Sequence, residues 1–430
     1  MSTTGKSFLF TVWEGGGNVP PTLAVARKLI AAGHHVRVMS DACNRPEAEA
    51  VGAEFIAWTH APSRTDKLAS SDVIADWEPS DPLEALGRVF ERIMFGPSGD
   101  YARDVVTEVA RARPDAIVTS EMLFGAMAGA EASRVPLVLF CPNVPLFPVE
   151  GVPPIGPGLT PARTDEERAM HAEISQGLAQ IFNQGLPALN ATRRSLELPE
   201  LDHVLQQPAR AASILFGTAR AFDFAPPALP PRHYYVAPQL HDTARIEDWT
   251  SPWPADDTRP LAVLSFSTTF QNQGAALQRV IDAFAGLPLR LLVTLGPALD
   301  PKDFRTSDNV RLVAQAPHGV VMPEAALVIA HGGHGTVMRG LVNDRPLLVM
   351  PMGRDQTDNA VRVEARGAGL TLDPKTASTA EIRAAVLRLA SEASFAENAR
   401  RLGAEIRAEM EGSPVVALLE EAVGPVAAAA

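Results

Sequence analysis

Cysteine is nearly missing from this 430-residue chain, which holds only Cys43 and Cys141. Two thiols so far apart give neither a disulfide framework nor a zinc spacing, so a reducing compartment, the cytoplasm, is expected. Basic runs are missing as well. Lys and Arg (38) are outnumbered by Asp and Glu (50), leaving a formal charge of −12. Without a basic face, nucleic acid is not an expected partner. No apolar stretch approaches the ~20 residues of a membrane span. The first apolar run, Phe8 to Trp13, is too short for a signal peptide. What is present is ordinary globular composition, 46% hydrophobic and 20% charged, in a chain long enough for two or three domains.

Short apolar runs alternate with helical patterns over the first 145 residues. Phe8 to Trp13, Val36 to Met39, Phe55 to Trp58, Ala116 to Thr119 and Leu137 to Phe140 read as strands. Between them, Pro20 and Pro21 suit a helix's first turn and Gly33 a stop. Strands buried on both faces predict a parallel sheet between helices. From Pro136 to Pro161 prolines recur every few residues, which excludes a regular element and predicts a long ordered loop. A helical stretch over 171–196 follows, then strands at Ser213 to Phe216 and Tyr234 to Val236. Residues 241–260 show no period and read as a linker. The grammar then restarts, with strands beginning at Leu261, Leu291, Val310, Ala326 and Pro346 and a helix over 275–287. The expected fold class is therefore α/β: two doubly wound, Rossmann-like domains facing across a cleft.

The stretch His331-Gly332-Gly333-His334-Gly335-Thr336 stands where a buried strand gives way to a helix. Backbone N–H groups of the first helical turn, close-approach glycines and a histidine at the strand tip together describe a pyrophosphate cradle. The same residues also suit a plain glycine-rich turn with a satisfied histidine. A zinc pair, His331 with His334, is a weaker third reading, lacking Cys and a third ligand. Further on, Asp355 and Gln356 follow a strand end, where a carboxylate beside a carboxamide suits neighbouring sugar hydroxyls. Thr357 and Asp358 read more simply as caps of the next helix. Gly15-Gly16-Gly17-Asn18-Val19-Pro20, with Asp41 as ribose acid, invites a dinucleotide reading. Pro20 stands where the third glycine belongs, so that fingerprint fails. Trp13, Trp58, Trp77, Phe124, Phe140 and Phe147 are candidates for an aromatic acceptor pocket, though such residues near strands are more often core. His60 and His171 read as surface or packing residues.

Gln315-Ala316-Pro317-His318, the His331 to Thr336 stretch and Pro351-Met352-Gly353-Arg354-Asp355-Gln356-Thr357-Asp358-Asn359 together resemble the donor signature of the UDP-glycosyltransferase superfamily. The likeness is strongest to the bacterial branch acting on macrolides, polyketides and other natural products. It implies a GT-B fold: an acceptor domain over 1–240, a donor domain over 261–408 and a last helix, 409–430, returning to the first domain. It also implies inversion at the anomeric carbon, no metal and no cofactor beyond a UDP- or dTDP-sugar. Its partners would be that nucleotide sugar and a small acceptor; a homodimer is allowed for. By the resemblance, Gln315 and His318 flank the base. Thr268, His331, Gly333, Gly335 and Thr336 hold the diphosphate, and Asp355 and Gln356 the sugar. Ser267 stands for a usual glycine, and Arg339 for a usual ribose-binding Glu, which leaves UDP and dTDP both open.

The acceptor half departs from the family. Asn18 replaces the family's basic His, and Ser120, with Glu121 beside it, replaces the orienting Asp. An amide does not accept a proton near neutral pH. Three explanations follow, in this order: an acidic acceptor positioned by Asn18, a substitute base (Glu14 or Glu121) tuned by burial, or binding without transfer. The expected activity is hexosyl transfer to a small aromatic or polyketide-like acceptor. The rivals are a nucleotide-sugar epimerase of the same architecture and a non-catalytic accessory protein that binds the donor.

Overall fold

The computed structural model describes residues 5–79, 81–240, 249–266, 270–296 and 299–423. Its first sheet has seven parallel strands: β1 (Ser7–Thr11), β2 (His35–Ser40), β3 (Glu54–Ala57), β4 (Ala116–Ser120), β5 (Leu137–Cys141), β6 (Ser213–Phe216) and β7 (His233–Tyr235). The second has six: β8 (Leu261–Ser265), β9 (Arg290–Thr294), β10 (Val310–Val313), β11 (Ala325–Ala330), β12 (Leu347–Val349) and β13 (Gly369–Thr371). Around the first lie α1 (Val19–Ala31), α2 (Arg45–Ala50), α3 (Pro82–Val89), α4 (Ser98–Arg111), α5 (Phe124–Ala132), α6 (Asp165–Asn183) and α7 (Leu186–Ser195). The remaining helices are α8 (Gly274–Phe284), α9 (His318–Glu324), α10 (His334–Val342), α11 (Gln356–Ala365), α12 (Thr379–Ser391), α13 (Ala393–Glu411) and α14 (Val415–Ala422).

The strand orders are β3-β2-β1-β4-β5-β6-β7 and β10-β9-β8-β11-β12-β13. Each order reverses at one seam, β1 beside β4 and β8 beside β11. There the crossovers diverge to opposite faces and open a crevice at the strands' C-terminal ends. Alternate side chains of β1 supply both cores, as its burial on two faces requires. Leu9 joins Tyr101 and Val105 of α4 and Phe124 of α5. Phe8 and Phe10 join Leu23 and Leu29 of α1, together with Val415 and Leu419 of α14. The last helix thus closes the first sheet, and the Lys6 ammonium donates to the Glu420 carbonyl at 2.7 Å.

Several elements differ from their sequence reading. The helix expected over 171–196 is two, broken at Gln184-Gly185, where a Cβ on Gly185 would lie 2.2 Å from the Phe95 ring. The helix expected to reach Leu287 ends at Phe284, with Gly286 at φ +71° beyond it. Strand β13 had no counterpart in the sequence reading, and Phe90–Met94 form a π-helical turn. The proline-rich segment is an irregular loop over 142–163. Of the linker, 241–248 lie outside the described residues, and 249–260 carry neither helix nor strand. No helix among the described residues is long and apolar enough to cross a membrane.

Candidate functional site

The second sheet's seam places its strand-end residues at one crevice. His331 follows β11 directly and is buried. Burial pushes its imidazole down to about 4, so the ring is neutral at neutral pH. Among the described residues its Nδ1, which is buried, has no hydrogen-bond partner. Its Nε2 stands where a Cβ on residue 333 would be, 2.4 Å away, so only glycine fits there. Gly332 is at φ +95°. From Gly333, in the N-cap position, α10 runs back into the domain with its first N–H groups facing the crevice. Gly335 and Thr336 form that first turn and are partly exposed.

His334 turns the other way and is buried. Its Nε2 pairs with Thr218 Oγ1 at 2.9 Å. Among the described residues no group of three His, Cys, Asp or Glu gathers that could hold a metal, so the zinc reading finds no ligand set. Across the seam, His318 opens α9 and lies 3.4 Å from Ser265 Oγ at the end of β8. Gln315 is exposed on the loop before it. Thr268 and Ser267 lie outside the described residues. Arg339 sits one turn along α10 and donates to the Gly335 carbonyl.

After β12, Asp355 takes the N-cap position of α11. Its Oδ2 accepts from Asn359 Nδ2 at 2.9 Å and from Asn143 Nδ2 at 3.1 Å, the latter reaching over from the loop after β5. Burial raises its carboxyl above the usual range. Gln356 is buried with both ends of its carboxamide engaged. Its Oε1 accepts from the N–H of Met352 and Gly353, and its Nε2 donates to Gln271. The helix begins at Gln356, so Thr357 and Asp358 are not its caps. Asp358 instead accepts from Gly156 N–H (2.8 Å) and Gly158 N–H (3.3 Å) of the proline-rich loop.

On the facing sheet, the β1 loop spends its polar groups on itself. Asn18 Oδ1 accepts from Gly15 N–H at 3.1 Å, and its Nδ2 donates to the Trp13 carbonyl at 2.9 Å. The amide expected to position an acceptor therefore closes its own loop. Glu14 is buried; its Oε1 accepts from Gly16 N–H at 2.8 Å and its Oε2 pairs with Lys67 at 3.5 Å. Its own N–H donates to Asp41, which also takes the Arg64 N–H. Asp41 thus staples this loop to the Arg64 backbone.

Glu121 is different. It follows β4 at the first sheet's seam, is 4% exposed, and its carboxyl is met by its own backbone N–H and by a long hydrogen bond from Ser120 Oγ at 3.4 Å. Burial pushes its carboxyl up to about 7, and the charge of Asp355 across the cleft adds to the effect. A buried carboxylate that titrates near neutrality, within reach of the charge of Asp355, can take a proton.

Of the six aromatic candidates, Trp13, Trp58, Phe124 and Phe140 are core. Phe147 is half-buried and packs edge-on to Phe124 and Phe182. Trp77 meets Phe270 of the second domain at 5.1 Å. Two site residues escaped sequence reasoning. Asn143 carried a faint signal, one amide between prolines after a strand; Asp76, paired with Arg354 at 2.6 Å, carried none.

Residues 278–422 match the family model described as erythromycin biosynthesis protein CIII-like, C-terminal domain. The chain is 24% identical over 429 residues to 4'-demethylrebeccamycin synthase of Lentzea aerocolonigenes, covering 97% of this chain and 99% of that protein. Over 185 residues, 41% of each chain, it is 36% identical to aclacinomycin-T 2-deoxy-L-fucose transferase of Streptomyces galilaeus. Its fold is similar to the solved glycotransferase of kitacinnamycin, with a TM-score of 0.75 at 20% identity, covering 97% of this chain and 99% of that one.

Proposed function

We propose that the chain is a glycosyltransferase like the natural-product enzymes it is similar to, moving a hexose from a UDP- or dTDP-sugar to a small aromatic or polyketide-like acceptor, with inversion and without metal. The relatives named for demethylrebeccamycin and aclacinomycin support a natural-product acceptor. The observation that carries the mechanism is Glu121, buried at the tip of β4 with its carboxyl near pH 7. In this reading its carboxylate accepts the proton of the acceptor's nucleophile. The acceptor oxygen then forms its bond to the anomeric carbon as the bond to the diphosphate breaks on the opposite face. The departing charge is met by the N-terminus of α10 and by His331. Asp355 orients a sugar hydroxyl. The half-buried Phe147 and the proline-rich loop supply an apolar wall for the acceptor.

The test pairs binding with turnover. UDP or dTDP at ~100 times its dissociation constant should stabilise the protein by about 2.7 kcal/mol. His331→Ala should remove about 1.5–3 kcal/mol of that ligand's binding. Glu121→Gln should keep nucleotide binding and lose ~10²–10⁴-fold in transfer to phenolic acceptors. Full turnover in Glu121→Gln would return the acidic-acceptor explanation to first place.

A further inference from the structure

A cavity of about 470 Å³ lies at the junction of the two domains, at the far end of α11 from Asp355, lined by Arg220, Ala221, Arg366, Arg401, Leu402 and Glu405. We propose that this cavity is a second anion site, separate from the donor crevice, that takes a phosphate group on a small molecule. Three guanidinium groups converge here in a chain of net charge −12. Elsewhere in the protein, arginines such as Arg37, Arg64, Arg193 and Arg362 hold carboxylates in ion pairs. Among the described residues, Arg220, Arg366 and Arg401 make no ion pair within 4 Å.

Their hydrogen bonds go to neutral oxygens. Arg366 donates to the carbonyls of Ala221 and Asp223, Arg220 to those of Pro226 and Pro227, and Arg401 to the Asn398 side chain. These bonds fix the guanidinium planes while leaving other N–H groups of each uncommitted. Of the carboxylates nearby, Glu409 accepts from the backbone N–H groups of Arg220 and Ala221, and Glu405, whose charge acts on Arg366, makes no ion pair within 4 Å among the described residues. The lining therefore keeps excess positive charge, and Arg366 carries its share half-buried. A partly desolvated guanidinium is stabilised by an anion, and forked donors suit phosphate oxygens.

The walls come from both halves of the chain. Arg220 and Ala221 follow β6 of the first sheet, two residues beyond Thr218, which binds His334 of α10. Arg366, Arg401 and Glu405 belong to the second domain. A bound phosphate would tie the domains together on the side away from the crevice.

The test is calorimetric titration of the full chain with inorganic phosphate and with glucose 1-phosphate, repeated in Arg401→Glu, Arg366→Ala and His331→Ala. We expect saturable binding in the wild type and in His331→Ala, weakened at least tenfold in Arg401→Glu and Arg366→Ala. Arg401 is exposed, so its substitution decides the matter even where Arg366→Ala fails to fold. Tighter binding of the ester than of the free ion assigns a sugar phosphate; equal binding assigns the ion. Loss of binding in His331→Ala with retention in Arg401→Glu overturns the proposal, because the phosphate then sits in the donor crevice. No binding of either probe overturns it too.

Discussion

Asn18 and Glu121 differ in what surrounds them, and that difference divides their roles. The amide of Asn18 bridges Gly15 N–H and the Trp13 carbonyl. Asn18→Ala should therefore cost about 1–2 kcal/mol of stability, read as a lowered melting temperature, with nucleotide affinity unchanged. Glu121 has no such employment. With its carboxyl at about 7, transfer should rise about tenfold per pH unit below that point and level off above it. The stability effect runs the other way. A carboxyl held above its ordinary value in the folded state favours folding at low pH, and that contribution is lost as pH rises through about 7. Glu121→Gln should flatten both curves, in a pH series of rates and of denaturation midpoints. Sequence already marked Glu14, Glu121 and Asn18 as the residues at issue. It could not separate them, because the separation depends on which backbone groups a folded turn brings within reach.

Elements were legible where their pattern was long. The strands β1, β4, β8 and β11 read as continuous apolar runs because both faces are covered. Strand β13 is three residues beginning with glycine at a sheet edge, too short for periodicity to reveal. The glycine-rich turn before α10 was recognisable from residue types alone, since close approach of His331 Nε2 leaves no room for a Cβ. Asp358 was not. Its position near a helix start suggested a cap, whereas its carboxylate grips the proline-rich loop some 200 residues away in sequence. Asp358→Ala should release Gly156 and Gly158, costing about 1–3 kcal/mol locally. Limited proteolysis within 150–160 should then speed up while the rest of the chain stays resistant.

At the scale of the whole molecule, two sheets were foreseeable, and what fastens them was not. Arg362 Nε and Nη2 both reach Asp223 Oδ1 at 2.8 Å, and Tyr235 donates to the second oxygen of the same carboxylate. The pair is buried, so removing one partner strands the other. Arg362→Ala should destabilise the protein by about 3–5 kcal/mol, measured by denaturant unfolding. No local pattern announces such a pair; two distant charges in sequence look like any two surface residues. The return of α14 to the first sheet has a consequence of its own. Val415 and Leu419 are among the residues that seal the face formed by Phe8 and Phe10. During synthesis, the part of the protein that holds Phe8 and Phe10 therefore leaves the ribosome with one flank uncovered, and it is finished by residues made about 400 positions later. A nascent chain stalled short of residue 415 should be engaged by chaperones at its oldest domain.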